Sequence, residues 1–452
     1  MIGGGLAGCA AALEAAADGA TVLLAEKQAE LGGSTRISAG FLAFAGTEEQ
    51  AAQGIEDSPE RLAADLLRVG EQQNDPALVE AFVRRQLDDH CWLKALGVAF
   101  APVRLSSGQS VPRTHPTEAA RLLELLAARL RAEPRIRVAT ARPARRLVRA
   151  ELAGPVVGVA FAEGEGSRTI PARRGVVLAS GGFTADEALL RNFAPRQAGA
   201  VRQGGPGNTG DGLRIAWALG AGLRDMGSIR GTFGYHPHAA GLDATDGIRL
   251  PIYVGAVAVN GHGRRFIDES LTYKEIGDAC LQQPGGIAHQ VFDRPILEAG
   301  APGPGPFGFR TALERGWFLA ADSLPALAAQ MGVPPAGLAA TLEDYNEGIC
   351  LERRDAFGRA SLSSGSGAPR LIEAPPFYAY ASTSTVVGTY CGLSVDAEAR
   401  VLDVFGAPIP GLWAAGEVTG GFHGASYMTG SALGKALAFG RIAGRNAASG
   451  AA

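Results

Sequence analysis

Small and apolar residues cluster at the start of the chain in a pattern that predicts three elements in quick succession. GGGLAG at 3–8 leads into CAAALEAAADGA, an alanine-rich stretch that favours helix, and Gly19 ends it. TVLLAE follows as a short apolar run of the kind a buried parallel strand shows, closing on Glu26. Apolar positions recur at helical spacing from about residue 59 to 96 and again from 118 to 131, so both stretches are expected to be helical. Two β-rich runs come next, RVATARPARRLVRA and GVVLASGGF, the second ending in Gly181 and Gly182. NTGDGLRIAWALGAGL predicts a further helix, in which Asp211 either caps the N-terminus or bonds a ligand. From 232 to 385 the composition shifts to Pro, Gly, His and aromatic residues with short elements, which predicts an inserted domain. GAPGPGPFG at 300–308 reads as a rigid loop tip. The glycine pattern resumes at 388, with GLWAAGEVTGG at 411–421, and GSALGKALAFGRIAGRNAA predicts a last helix.

The first glycines carry the chemistry of a dinucleotide site. Gly3 permits a tight turn, Gly5 lets backbone approach a pyrophosphate, and Gly8 lets the helix pack closely on the sheet. The helix that follows would point its N–H groups at the phosphates, and Glu26 falls about where an acid bonds a ribose hydroxyl. An ordinary βαβ turn is the alternative for a lone fingerprint. Glycines, helix, strand and terminal acid in this order favour the dinucleotide reading. Paired with the second glycine signature, they predict one α/β FAD-binding domain split by the inserted domain. Its parts are expected at 1–231 and 386–452, with the inserted domain at 232–385. The loop LGGSTRISAGFLAFAG, rich in small residues, offers backbone to a flavin's pyrophosphate and ring. Only Met1 and Ile2 precede Gly3, where a first strand normally has about five residues, so the N-terminus reads as clipped.

At 452 residues, 46% hydrophobic and 19% charged, the chain has the makings of a two-domain globular protein and not of a disordered one. A net charge of −3 makes no electrostatic case for nucleic acid. No apolar run reaches the roughly 18 residues of a membrane span, and no signal peptide precedes the first motif, so the cytoplasm is the expected compartment. The five cysteines are scattered without CxxC spacing, which argues against a disulfide scaffold, a zinc site or attached haem; no metal is expected.

Several motifs in order make the chain resemble the flavoprotein family of soluble fumarate reductases, urocanate reductase and 3-ketosteroid Δ1-dehydrogenases. They are GGGLAG, GGSTRISAG, VVLASGGF, NTGDG, GYHP, VNGHGRRFIDE, DYNEG, GLWAAGEVTGG and HGASYMTGSAL. The resemblance implies FAD in a Rossmann-like domain interrupted by an α+β capping domain at 232–385, with substrate clamped between the two domains. It places cofactor contacts at Gly3, Gly5, Leu6, Ala7 and Gly8, at Glu26 and Lys27, and at Gly32, Gly33, Ser34, Ser38, Ala39 and Gly40. Further contacts are implied at Ala179, Ser180, Gly181 and Asp211, at Gly416 and Glu417, and at Ser431, Ala432 and Leu433. Glu417 would bind the ribityl chain. Ser34 stands where covalent relatives carry histidine, which implies noncovalent FAD. Three groups that bind or protonate dicarboxylates in the family are replaced, by Tyr273, Gly388 and Tyr427. A substrate with two carboxylates would lack its charge-assisted partners, so a ketone or enone is expected instead.

Tyr427, with backbone at Gly430, would then polarise the carbonyl and Tyr273 would exchange the proton, while flavin takes or gives hydride. Tyr273 has the alternative of capping the helix that starts near Lys274. His236 in GYHP matches a family histidine that contacts substrate, or is structural. His238 and His262 read as loop residues, and Glu269 as a partner of Arg264 or Arg265. The rival reading is a reductase of an unsaturated carboxylate using Asp246, Arg249 and His236; a noncatalytic electron carrier is a third. No second GxGxxG is present for a nicotinamide nucleotide, so the electron donor or acceptor is left unassigned.

Overall fold

The computed structural model describes residues 1–229, 231–237, 247–301, 303, 305–363 and 367–450. Two compact units divide the chain. The first comprises Met1–Ala194, Gly204–Ile229 and Gly388–Ala452; the second comprises Pro195–Gln203 and Arg230–Val387. The stretch Pro195–Gln203, assigned from sequence to the first domain, thus belongs to the second. Its strand Val201–Arg202 pairs in parallel with Thr385 and Val386, a long-range pairing that local pattern cannot reveal.

The first unit is built on a parallel sheet that starts from its own N-terminus. Ile2 bridges in parallel to Ala25 on one side and to Leu178 on the other. Beyond these, Val22–Ala25 pairs with Ile136–Ala139, and Val176–Leu178 with the end of Pro408–Ala414, both in parallel. Strands therefore extend both ways from residue 2, which opens a crevice at the carboxyl ends of the strands, the place where such sheets bind ligands. The helix Leu6–Ala17 packs on this sheet through alanines that are almost wholly buried. Against it lies Ser431–Ser449. A Cβ on Gly440 would stand 2.5 Å from the Ala7 carbonyl oxygen, and one on Gly444 2.3 Å from that of Ala11, so glycine is what lets the two backbones approach. The equal steps show that the helices run parallel.

The stretch expected to be helical over 59–96 forms two helices, Pro59–Val69 and Pro76–Ala95. Each begins with proline at its first position behind a capping side chain, Ser58 or Asp75. Glu71 and Gln72 take left-handed backbone between them, with φ of 52° and 58°.

The second unit is α+β. Phe377–Val386 is its central strand, antiparallel to Thr232–Tyr235 on one side and to Ala288–Asp293 on the other, with Val257–Val259 beyond. The helices Tyr273–Leu281, Leu324–Met331 and Pro335–Cys350 contribute to a core of Phe233, Phe292, Phe309 and Tyr380. Glu269 is buried and bound by Arg265 through both oxygens at 2.9 and 2.7 Å, and Arg359 adds a contact at 3.3 Å, so Arg265 rather than Arg264 is its partner.

Candidate active site

The turn into the first helix leaves little room for anything but glycine. A Cβ on Gly3 would fall 2.2 Å from the Ala179 carbonyl oxygen, and one on Gly8 1.9 Å from that of Gly3. At Gly5 the nearest atom would be 3.7 Å away, so its surroundings are open. Gly5 is an N-cap with no capping side chain, and the Leu6 N–H is donated to Thr35 Oγ1 at 3.1 Å. Ala7 and Gly8, in the first turn, have N–H groups with no acceptor inside the helix. Glu26 is buried at the end of its strand and accepts from the Gly4 N–H at 2.7 Å and the Gln28 N–H at 2.8 Å. Lys27 Nζ reaches Asp211 at 2.6 Å. Asp211 opens the helix Asp211–Trp217 behind Gly210, which has no capping side chain, so Asp211 is not its cap.

The loop over 32–40 folds back on this turn. The Gly32 N–H donates to the Gly4 carbonyl at 2.9 Å, and Ser38 Oγ to the Thr35 carbonyl at 2.8 Å. A Cβ on Gly40 would lie 1.8 Å from the Thr117 carbonyl oxygen; Gly33 and Ala39 are half-buried. Ser34 joins a network missed in the sequence. Its Oγ accepts from Asn208 Nδ2 at 3.0 Å and from the Gly205 N–H at 3.2 Å, and donates to Glu417 Oε2 at 3.3 Å. Asn208 also donates to Glu417 at 3.0 Å, and the Thr389 N–H to its other oxygen at 3.0 Å. Glu417 is half-buried and already held by neutral donors. Next to Ala179 and Gly181, Ser180 Oγ is buried and has no hydrogen-bond partner, as expected of a group that faces a ligand.

A second helix start lies farther along the same direction. Gly440 is nine residues past Ser431 and Ala7 is one past Leu6. The C-terminal helix therefore begins eight residues, about 12 Å, ahead of the first. Its N-cap, Gly430, takes a φ of 89°, and a Cβ there would meet the Ala43 backbone nitrogen at 2.9 Å. Ser431 Oγ donates to the Met428 carbonyl at 2.7 Å, while Ala432 and Leu433 are half-buried in the first turn. Lys435, one turn on, is buried with Nζ donating to the Thr419 carbonyl at 2.6 Å. Burial pushes its pKa down to about 8, against the opposing pull of Asp225 and Glu417.

Tyr427 and Gly430 are brought together. The Gly430 N–H donates to Tyr427 Oη at 2.9 Å, so the phenol and the amide form one chain, not two donors aimed separately at a ligand. The Tyr427 ring stacks on Tyr390, with centroids 4.7 Å apart and planes 11° apart, and His423 meets both rings edge-on at 5.2 and 5.6 Å. Tyr390 has a φ of 54°, costly for a bulky side chain and so held by its surroundings. A Cβ on Gly388 would be 3.1 Å from Tyr390 Cζ, so the Tyr390 ring occupies the space beside that position. Tyr390 lies two residues past Gly388, and His423 opens the HGASYMTGSAL motif, but neither was singled out in the sequence.

In the second unit, Tyr273 is the first residue of its helix, and the cap is Thr272, which forms a capping box with Glu275. The Tyr273 N–H donates to Tyr253 Oη at 2.7 Å. The His236 N–H donates to the Gly247 carbonyl at 3.0 Å, and its ring lies 5.4 Å from that of Tyr380. Arg249 is fully buried, with its guanidinium 4.9 Å from the Trp317 ring. His262 is exposed. His238 and Asp246 lie outside the described residues.

A family model described as an FAD binding domain matches residues 1–433. The chain belongs to that family. It is 33% identical over 453 residues to a probable fumarate reductase, Ifc3, of Shewanella frigidimarina, covering 99% of this chain and 74% of that protein. It is also 33% identical over 336 residues to the 4-oxocyclohexanecarboxylate 2-dehydrogenase of Sinomonas cyclohexanicum, covering 66% of this chain and 55% of the relative. Among solved structures, 3-ketosteroid-Δ4-(5α)-dehydrogenase of Rhodococcus jostii RHA1 in complex with 4-androstene-3,17-dione matches with a TM-score of 0.79 at 26% identity, covering 99% of this chain and 95% of that one. This flavoprotein is an FAD-dependent oxidoreductase acting on CH–CH donors or C=C acceptors. Among the described residues, no helix is long and apolar enough to cross a membrane.

Proposed function

We propose that this flavoprotein desaturates a ketone, or reduces an enone, at the carbon–carbon bond α,β to the carbonyl. The observation that carries the reading is the Tyr390–Tyr427–Gly430 chain. A phenol that accepts an N–H on its oxygen is a stronger donor through its own proton, because hydrogen bonds in series polarise one another. It is aimed by a stacked ring and adds no full charge. Such a donor suits a developing enolate oxygen; it does not match a carboxylate, which calls for a guanidinium or another cation. FAD supplies the two-electron hydride acceptor or donor when bound. In this reading the N–H groups of Ala7 and Gly8 hold its pyrophosphate, Glu26 its ribose, and Ser180, Ser34 and Glu417 its remaining polar groups. Tyr273 exchanges the proton at the α-carbon. The fumarate reductase relative favours a second reading, reduction of an unsaturated carboxylate, in which Arg249, Asp246 and His236 would bind and protonate the acid.

Turnover of a cyclic ketone with an artificial electron acceptor tests the assignment. Tyr427→Phe should lower the rate by on the order of 10²–10³, as removal of one oxyanion donor does, with FAD content unchanged. Turnover near that of the unmodified protein would contradict it.

A further inference from the structure

Away from the Tyr427 site, the first unit draws three metal-ligating side chains to one point from three elements. Glu49 comes from the short helix Glu48–Ala52, His90 from Pro76–Ala95, and His115 from the strand Thr114–Pro116. One ligand atom of each lies within 4.8 Å of the other two. We propose that Glu49, His90 and His115 form a binding site for a zinc-class divalent cation.

The local bonding argues for it. His90 is buried, and its Nε2 stands 2.9 Å from Glu49 Oε2, yet neither atom is in a hydrogen-bonding alignment. Two potential ligands facing one another without a shared hydrogen bond are what a cation between them would join. His115 is prepared in the way ligating histidines usually are. Its Nδ1 lies 2.9 Å from the Arg113 carbonyl, which can only accept, so the proton sits on Nδ1 and the Nε2 lone pair faces inward. That lone pair now takes the hydroxyl of Thr47 at 2.8 Å; on binding, the hydroxyl rotates away and leaves Nε2 to the ion, with Thr47 or water in the fourth position. Phe44 and Phe100 pack against both imidazoles with centroids 5.2–5.7 Å apart and keep water from the rings. Two imidazoles and one carboxylate suit zinc or a similar first-row ion better than magnesium or calcium, which prefer all-oxygen shells. Lys94, paired with Glu48 and Glu49, is partly exposed, so it can move off as the ion enters.

The site would act as a brace. His115 is opposite Leu42 in a strand pair, and Ala43 on the same strand donates its N–H to the Gly430 carbonyl at 3.1 Å. A cation on His115 stiffens the strand behind the Tyr427–Gly430 chain without touching substrate.

The test uses untagged, flavin-loaded protein dialysed against a chelator and then titrated with micromolar zinc. Elemental analysis should find about one zinc per chain, and the melting temperature should rise by several degrees. Glu49→Gln and His90→Gln should lose both effects, while Cys91→Ser, next to His90 on the exposed side, and His262→Gln should keep them. Cobalt in place of zinc should give the visible bands of a nitrogen and oxygen shell, a readout that needs no variant. No retained zinc with no shift in melting would overturn the proposal, as would undiminished binding by both variants or a thiolate charge-transfer band from cobalt.

Discussion

Gly8 and Gly388 are both glycines at positions the family uses, one toward the cofactor and one toward the substrate, but the chain uses them differently. Gly8 was legible from spacing alone, because a Cβ there would fall on the backbone of Gly3. Gly388 draws its meaning from Tyr390, whose ring lies where a side chain at 388 would begin. That relation depends on the φ of Tyr390 and on its stack with Tyr427, neither of which a linear motif records. Gly388→His alone should therefore disturb the tyrosine stack: ketone turnover is expected to fall with no gain on fumarate, and Gly388→His with Tyr390→Ala should recover the wild-type FAD content if the single variant has lost any. Steady-state kinetics on both substrates and the flavin-to-protein absorbance ratio check this. Ser34 yields a second expectation. Its hydroxyl is held by Asn208, Gly205 and Glu417, and no nucleophilic ring stands there to attack a flavin methyl group. Acid precipitation should release all yellow colour to the supernatant; flavin left on the denatured chain would contradict noncovalent binding.

Among the elements, the pairing of the first and last helices sets the distance between two helix starts. The sequence held both helices, and their contact is readable afterwards from Gly440 and Gly444, but nothing local indicated which partner those glycines served. Gly444→Ala would press a methyl against the Ala11 carbonyl, a backbone atom, and should destabilise the protein by about 1–3 kcal/mol. Because the register of the two helices sets both helix starts, which in the proposed site are turned to the cofactor, FAD affinity should fall with it. Gly348→Ala is the contrast. It lies in the helix Pro335–Cys350, where a Cβ meets nothing nearer than Arg353 at 4.0 Å, and it should stabilise by roughly 0.5–1 kcal/mol through helix propensity. Equal melting shifts of the same sign would refute the packing argument. The run over 59–96 was legible as helical, and Asp75 and Pro76, a cap and a first-turn proline, mark where its second helix starts.

At the scale of the molecule, the two-unit plan was visible as a change of composition, whereas the return of 195–203 to the second unit depended on a strand pairing nearly two hundred residues away in sequence. That unit also carries a pH liability. His289, on its central sheet, has a pKa pushed down to about 4 by burial first and by His236 second. The unfolded chain takes up this proton near 6.5 and the folded chain refuses it until about 4, so stability should fall as pH drops through that window, at up to about 1.4 kcal/mol per pH unit. His289→Gln should lose less stability between pH 7 and 5 than the unmodified protein, as read from urea midpoints; equal losses would exclude this histidine. The central claim is the class of substrate, and reoxidation of the flavin reports it most directly. Protein photoreduced without oxygen should be reoxidised by a cyclic enone at least about 10²-fold faster than by fumarate, because the tyrosine donor of the proposed site adds no charge to pair with a carboxylate. Fumarate reoxidising the flavin as fast as the best enone would contradict the account.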